Sequence, residues 1–493
     1  MPQDPTGPWN SSFTSGVLLN TYRKLIKVLI TGLLSINLIL SLSLNSYADK
    51  FTDAMEERRS WPVKTNEIEN WPEGPAVGAA SAILLEAETG IILYEKNVDE
   101  KMFPASTTKL LTCMLAMEKE GSSLKDMVSF SYDAVHSVTP DASNMGMDAG
   151  EAMTLEDCLY GIMVLSANEV CNAVAEYTSG SVESFVDLMN ERAEEIGCKN
   201  THFNNAHGYT DPDHYTSAYD LALIAREFFK NEFLAKVSRT SSYHWYPTDT
   251  QPDDIWLSTK NMFLNKTYNL EGLIGSKTGF TDESRQVLVT GAERNGITLI
   301  CVVMEEETPY QYIDSLALFN YGFNNFTRIK VADNETKYEM KNEAFFVTGY
   351  DVFGDSSSFI SLDPDSEIIL PKNCEFTDLD SKLIYKDDDE SVLADIEYSY
   401  NGKYLGNAGL IVEKDNKTSF IFGDTNEFIE ETEDNDTTFI YVNNIIKIVA
   451  IVVGILFVYL IIRRIFSAFH FSGRRHYYVM PKKRKKRKKY DDD

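Results

Sequence analysis

The sequence predicts an α/β domain, an antiparallel sheet with packed helices, over residues 77–324. A small all-β sandwich domain over 325–431 and a C-terminal transmembrane helix follow it. Three observations predict this. Strand-like runs stand at both ends of the first region, with helix-period segments between them. Asn295-Gly296 joins two apolar runs, a strong two-residue hairpin signal. From Thr327 the pattern changes to short alternating segments between turn residues.

At the N-terminus, Arg23, Lys24 and Lys27 precede an apolar run from Val28 to Leu44, and Ser46-Tyr47-Ala48 follows. A basic flank, an apolar stretch and an A-x-A-like end read as a secretory signal over 1–48. An uncleaved anchor helix is the other reading, and the stretch before Tyr22 is longer than such signals usually carry. Residues 49–76 are charged and carry Trp61-Pro62 and Trp71-Pro72, which reads as a linker. Ser81–Glu86 and Ile91–Glu95 are two strands about a turn containing Thr89-Gly90. Ser106 opens a helical stretch, Thr107–Lys119, with Leu110, Leu111, Met114 and Leu115 at helix spacing. Further helices are expected over Leu155–Val164, Glu169–Thr178, Val182–Ile196 and Ala218–Phe229. Strands are expected over Gly272–Thr278, Gln286–Glu293 and Ile297–Met304, then a closing helix over Tyr310–Tyr321. In the β region the candidate strands are Ala344–Val347, Glu367–Leu370, Val392–Tyr400 and Leu410–Val412. An acidic stem over 432–444 leads to a transmembrane helix expected over 445–464, whose apolar run, Ile445–Ile462, is near the minimum length for a spanning helix. Arg463-Arg464 and the unbroken basic run Lys482–Lys489 follow, so 465–493 reads as a basic cytoplasmic tail. The body between the two ends is then extracytoplasmic and held at the cell membrane.

The chain has 493 residues and a formal net charge of −29. That charge argues against nucleic-acid binding by the main body. The basic tail, beside a membrane segment, reads more simply as attraction to anionic lipid. Six cysteines, at 113, 158, 171, 198, 301 and 374, form no CxxC pair and no metal spacing. They read as small buried hydrophobes. No cofactor or metal is implied.

Three short motifs carry the chemistry: Ser106-Thr-Thr-Lys109, Ser166-Ala-Asn168 and Lys277-Thr278-Gly279. Each alone has a bland reading: an N-cap with a solvated lysine, a helix junction, a strand ending in a glycine turn. Acyl transfer needs a nucleophile, a base and an oxyanion site, and the first motif offers the first two. Ser106 stands at a helix start, where the dipole favours negative charge. Lys109 lies one turn on, on the same face, and can serve as base if burial or a nearby cation such as Lys277 lowers its pKa. Ser166 can relay a proton towards a leaving amine, and Asn168 can bond a substrate amide. An edge strand through Lys277 can bind an extended peptide, with Thr278 bonding a terminal carboxylate and Gly279 letting substrate approach.

In order and content these motifs resemble the serine-type D-alanyl-D-alanine carboxypeptidases, the low-molecular-mass penicillin-binding proteins. The resemblance is strong over about 77–324 and weaker over the β domain. It implies the penicillin-binding/β-lactamase-like fold and removal of the terminal D-Ala from a peptidoglycan stem peptide through an acyl-enzyme on Ser106. It also implies acylation by β-lactam antibiotics and an oxyanion hole formed by the N–H groups of Ser106 and Phe280. Two departures stand out: Gln311 lies where relatives often carry an arginine, and Ser284-Arg285 replaces a common Ala-Gly. Arg285 is either a replacement carboxylate anchor or a surface residue. The segment Asn205–Asp220, with His207 and His214, is read as an ordered loop entering a helix rather than as a zinc site. A serine β-lactamase and a non-catalytic wall-binding scaffold are the alternatives. Against the first, the glutamates Glu183, Glu191, Glu194 and Glu195 fall in a predicted helix, and no Glu-x-x-Leu-Asn pattern follows the middle motif.

Overall fold

The computed structural model describes residues 51–119, 121–139, 142–338, 360–386 and 392–412. The signal, the acidic stem, the 445–464 segment, the basic tail and the strand expected at Ala344–Val347 lie outside the described residues. Among the described residues no helix is long and apolar enough to cross a membrane.

The chain opens with β1 (Ser81–Glu86) and β2 (Ile92–Lys96), then enters α1 (Lys109–Glu118) through a tight turn over Ala105–Thr108. A short strand β3 (Met127–Ser129), the one-turn α2 (Tyr132–His136) and β4 (Ala152–Thr154) lead to α3 (Leu155–Tyr160). A wide π-type turn, Gly161–Leu165, connects to α4 (Asn168–Ser179), then α5 (Val182–Ile196), α6 (Ala218–Lys230) and α7 (Glu232–Ser238). The hairpin β5 (Ser242–Trp245) and β6 (Ile255–Ser258) precedes β7 (Leu273–Thr281), β8 (Arg285–Arg294), β9 (Ile297–Glu306) and α8 (Tyr310–Asn325).

Caps set the helix limits. Ser181 caps α5 by accepting from the Ser184 N–H at 3.1 Å, and Gly197, at φ +97°, ends it. Asn231 ends α6 and caps α7, accepting from the N–H groups of Phe233 (3.0 Å) and Leu234 (3.1 Å). The sequence reading stopped at Phe229 and missed α7, because one residue serves as stop and start.

The main sheet has the order β2-β1-β9-β8-β7, all neighbours antiparallel. Its central strands alternate between two buried faces. Ile83, Leu85, Val289, Ile300 and Val302 point into a core shared with helices α1, α4 and α6. Leu84, Leu288, Leu299, Cys301 and Val303 point into a second core with Leu318 and Phe319 of α8. Strand β7 stands at the edge of the sheet, against the Ala105–Thr108 turn.

Beyond α8, β10 (Phe326–Lys330) pairs with β12 (Glu367–Pro371). A four-stranded sheet has the order β11 (Ile360–Leu362), β15 (Lys403–Val412), β14 (Val392–Tyr400), β13 (Asp380–Tyr385). Ile368, Tyr398 and Leu405 join the second core, so the β region and the sheet share buried surface.

The stretch read as a linker, 49–76, corrects the sequence reading: its described part packs on the domain. Residues 51–58 are helical, and Met55 and Trp71 are buried. The Trp71 indole N–H donates to Leu93 O at 3.1 Å, and its ring lies 5.1 Å from Phe326. Arg58 pairs with Glu305, and Arg59 with Asp314 at 3.2 Å. Two of the charges that suggested a solvated linker, Arg58 and Arg59, are ion-paired to the strand end and closing helix.

Candidate active site

The turn that carries Ser106 is bent by a residue that normally avoids such geometry. Ala105 sits at φ +48°, a left-handed conformation that costs a non-glycine residue free energy. It places Ser106 in the turn and Lys109 at the first position of α1. The Lys109 amine donates to Ser106 Oγ at 2.9 Å, to Asn168 Oδ1 at 2.7 Å and to the His207 carbonyl at 2.5 Å. Lys109 is fully buried, and that burial lowers its pKa to about 8.

A second pair lies beside the first. Lys277 donates to Ser166 Oγ at 3.1 Å and to Thr278 O at 2.8 Å. Burial, and then the charge of Lys109, lowers Lys277 to about 7. Ser166 ends the wide turn in the left-handed region, at φ +66°. Its strained backbone presents the hydroxyl to Lys277. Motifs far apart in sequence thus form two amine–hydroxyl pairs, with Asn168 bonded to the first.

Two sequence readings change in detail. Asn168 uses its carbonyl oxygen on Lys109, so a substrate contact by Asn168 falls to its amide NH2 group. Gly279 was read as making room for substrate. A Cβ there would lie 2.9 Å from Pro104 O and 3.1 Å from Ser106 N, so the glycine also lets β7 press against the nucleophile turn. Thr278 is half-buried, and the Phe280 side chain stands exposed two residues further along the edge strand.

The structure adds residues that the motifs did not name. Glu169, directly after Asn168, is buried and accepts the Met145 N–H at 2.5 Å, while the Asn168 N–H donates to Ser143 O at 2.8 Å. These bonds fasten loop 143–147 to the middle motif. An acidic residue in a helix first turn was the one sequence signal for it.

The loop 205–208 is the second addition. Its His207 carbonyl holds Lys109, and its Gly208 packs on Ala105. Gly208 has φ +86°, and a Cβ there would lie 1.8 Å from Ala105 O. Gly208→Ala is therefore expected to destabilise the protein by ~3 kcal/mol or more and to slow acylation of Ser106. Urea melts and penicillin labelling of the same preparation would check this. Unchanged values in both would show that the turn does not depend on this contact. His214 is buried, with Nε2 bonded to Thr108 Oγ1 at 2.9 Å and Nδ1 accepting the Asn204 N–H at 2.9 Å. Both ring nitrogens are thus used inside the loop framework. No cluster of metal-ligating side chains occurs among the described residues.

Arg285 lies at φ +50° at the start of β8. Its guanidinium pairs with both carboxylate oxygens of Glu307, at 2.8 and 2.9 Å, and lies 4.0 Å from the Phe51 ring centre and 5.4 Å from that of Phe280. Gln311 is buried and donates to Gln286 Oε1 at 3.2 Å.

A serine with a buried lysine at hydrogen-bond distance, below an open edge strand, defines a serine acyl-transfer hydrolase. Comparison with known proteins gives the family. A model described as D-alanyl-D-alanine carboxypeptidase matches residues 68–308. The carboxypeptidase DacF of Bacillus subtilis is 38% identical over 231 residues, covering 47% of this chain and 58% of that protein. A D-alanyl-D-alanine carboxypeptidase of a Streptomyces species is 30% identical, covering 50% of this chain and 88% of that protein. Among solved structures, penicillin-binding protein 5 of Haemophilus influenzae aligns with a TM-score of 0.56 at 28% identity, over 69% of this chain and 98% of that one. Penicillin-binding protein 6B of Escherichia coli aligns with a TM-score of 0.54 at 25% identity, over 70% and 98%. The chain belongs to the D-alanyl-D-alanine carboxypeptidase family of serine hydrolases.

Proposed function

We propose that this protein removes the terminal D-Ala from peptidoglycan stem peptides through an acyl-enzyme on Ser106. The observation that carries the reading is the 2.9 Å bond between the buried Lys109 amine and Ser106 Oγ. With its pKa lowered to about 8, Lys109 holds a usable fraction of free base near neutral pH. It takes the Ser106 proton as Oγ attacks the carbonyl between the two D-alanines. The N–H groups of Ser106 and Phe280 receive the oxyanion. Ser166, bonded to Lys277, returns a proton to the leaving D-Ala amine. Thr278 meets the terminal carboxylate, the NH2 of Asn168 meets the substrate amide, and Gly279 keeps β7 close to the nucleophile. Water then hydrolyses the ester. A β-lactam presents the same acyl chemistry and would stop at the ester stage.

The test is intact-mass spectrometry of the protein mixed with benzylpenicillin and sampled over time. A persistent single adduct, with D-Ala release from a stem pentapeptide, is the expected result. An adduct lost within seconds as penicillin is consumed would favour a β-lactamase, and none at all a wall-binding scaffold.

The same reading places the catalytic domain outside the cell membrane, held by a span at 445–464 and a basic cytoplasmic tail at 465–493. Supporting it are the apolar run Ile445–Ile462 and the cations that follow. Labelling of single cysteines introduced on either side of 445–464 in intact cells would test the topology. For 325–431 the two antiparallel sheets and the core residues Ile368 and Tyr398 support a β-sandwich.

A further inference from the structure

The β5–β6 hairpin carries aromatic side chains on both faces, and among the described residues only one face packs on the rest of the domain. Tyr243 and Trp245 point inward. The Tyr243 ring stacks on Tyr160 at 3.9 Å and its hydroxyl donates to Asp157 at 2.8 Å. Trp245 is buried against Gly161, where an added Cβ would sit 2.9 Å from the indole. The alternate positions face outward. His244 is directly opposite Trp256 across the pair, with the rings stacked at 3.8 Å, and Tyr246 leans on His244 at 4.0 Å. Trp256 is 68% and Tyr246 71% exposed.

Large aromatics left in water at adjoining sites, on a strand pair locked from behind, make a preformed binding platform. What surrounds the rings selects the ligand chemistry. Asp249, Asp253 and Asp254 are all exposed in the same hairpin, and Asp254 Oδ1 lies 2.5 Å from His244 Nε2. Three carboxylates repel an anionic polymer or an anionic lipid surface. They suit a ligand rich in hydroxyl and amide donors, which carboxylate oxygens accept. A pyranose fits both requirements: its C–H faces lie flat on aromatic rings, and its rim carries the donors. The strand that leads into Tyr246 is tied through its inward face to the turn before Ser166. Trp245 packs on Gly161, and the turn Gly161–Leu165 ends at Ser166.

We propose that Tyr246 and Trp256, both packed on the largely buried His244 ring, form a carbohydrate platform that binds the amino-sugar backbone to which stem peptides are attached. The identity of that glycan rests on the stem-peptide reading above. Binding there would hold polymeric substrate beside the site without touching the reacting bond.

The experiment uses the full chain in detergent and a β-1,4-linked hexamer of N-acetylglucosamine, which bears no peptide. Binding is read by calorimetry and tryptophan fluorescence. The wild type is expected to bind. Trp256→Ala and Tyr246→Ala should each weaken binding about tenfold or more, and Trp256→Phe should restore part of it. Benzylpenicillin acylation and D-Ala release from a soluble pentapeptide should not change, while release from insoluble peptidoglycan should fall. Failure of the wild type to bind the hexamer, or equal binding by Trp256→Ala, overturns the platform. So does Trp256-dependent capture by lipid vesicles or Trp256-dependent self-association in place of hexamer binding. A wild type that binds the hexamer but takes no penicillin overturns the catalytic reading and leaves the platform standing.

Discussion

Ser106→Ala is expected to abolish the benzylpenicillin adduct and to cut D-Ala release from a stem pentapeptide by ~10³-fold or more, with the fold intact. The nucleophile is the one group that every covalent step needs, so nothing in the site replaces it. The loss should not come from unfolding. Lys109 keeps its bonds to Asn168 Oδ1 and the His207 carbonyl when the serine hydroxyl goes. Only one bond is removed, worth ~1 kcal/mol. Intact mass, D-Ala release and urea melts on the same preparation separate these effects. If the variant still releases D-Ala at the wild-type rate, Ser106 is not the nucleophile. If release is lost but stability falls by several kcal/mol, the serine matters to the turn rather than to the chemistry.

The three motifs were legible because part of their geometry is local. A serine and a lysine three residues apart at a helix start share a face whatever surrounds them, so the Ser106–Lys109 contact follows from spacing. The sheet was legible for a similar reason. Ser81–Glu86 is a continuous buried run, and Asn295-Gly296 has two φ-positive residues that join β8 and β9. What the sequence hid is non-local. That Lys277 would meet Ser166, or the His207 carbonyl meet Lys109, depends on how helices and sheet dock. The Met127–Ser129 and Ala152–Thr154 strands were missed because each is three residues long and the pair is separated by a long excursion. The β5–β6 hairpin escaped because its strands, Ser242–Trp245 and Ile255–Ser258, are only four residues each. The 49–76 stretch was misread because charge suggested solvent, whereas its arginines serve acids on the domain.

Lys109→Met should be the second large effect, and it separates the amine's role in catalysis from its effect on folding. Acylation by benzylpenicillin should fall by ~10²- to 10⁴-fold, the usual loss when a general base is removed. Stability should respond in a pH-dependent way. In the unfolded chain a lysine holds its proton to about 10.5, whereas in the buried site Lys109 holds it only to about 8. Between those values the unfolded chain binds more protons, so wild-type stability rises with pH across that window. Below it the charged, buried amine costs ~3 kcal/mol. Methionine never carries the charge and escapes that cost, but it leaves Asn168 Oδ1 and the His207 carbonyl without their donor, at ~1–3 kcal/mol each. At pH 7 the two effects oppose each other, so a single melting temperature is a poor readout. The difference in unfolding free energy, wild type minus variant, should grow by ~3 kcal/mol from pH 8 to 10.5. Removing the Lys109 charge also relieves Lys277, whose pKa that charge depresses, which moves the difference the same way. Parallel stability curves would mean that the buried amine is not shifted, and its role as base would go with it. Lys109→Arg completes the test, since arginine keeps the charge but does not give up its proton. If arginine supports acylation, charge rather than proton transfer is what Ser106 requires.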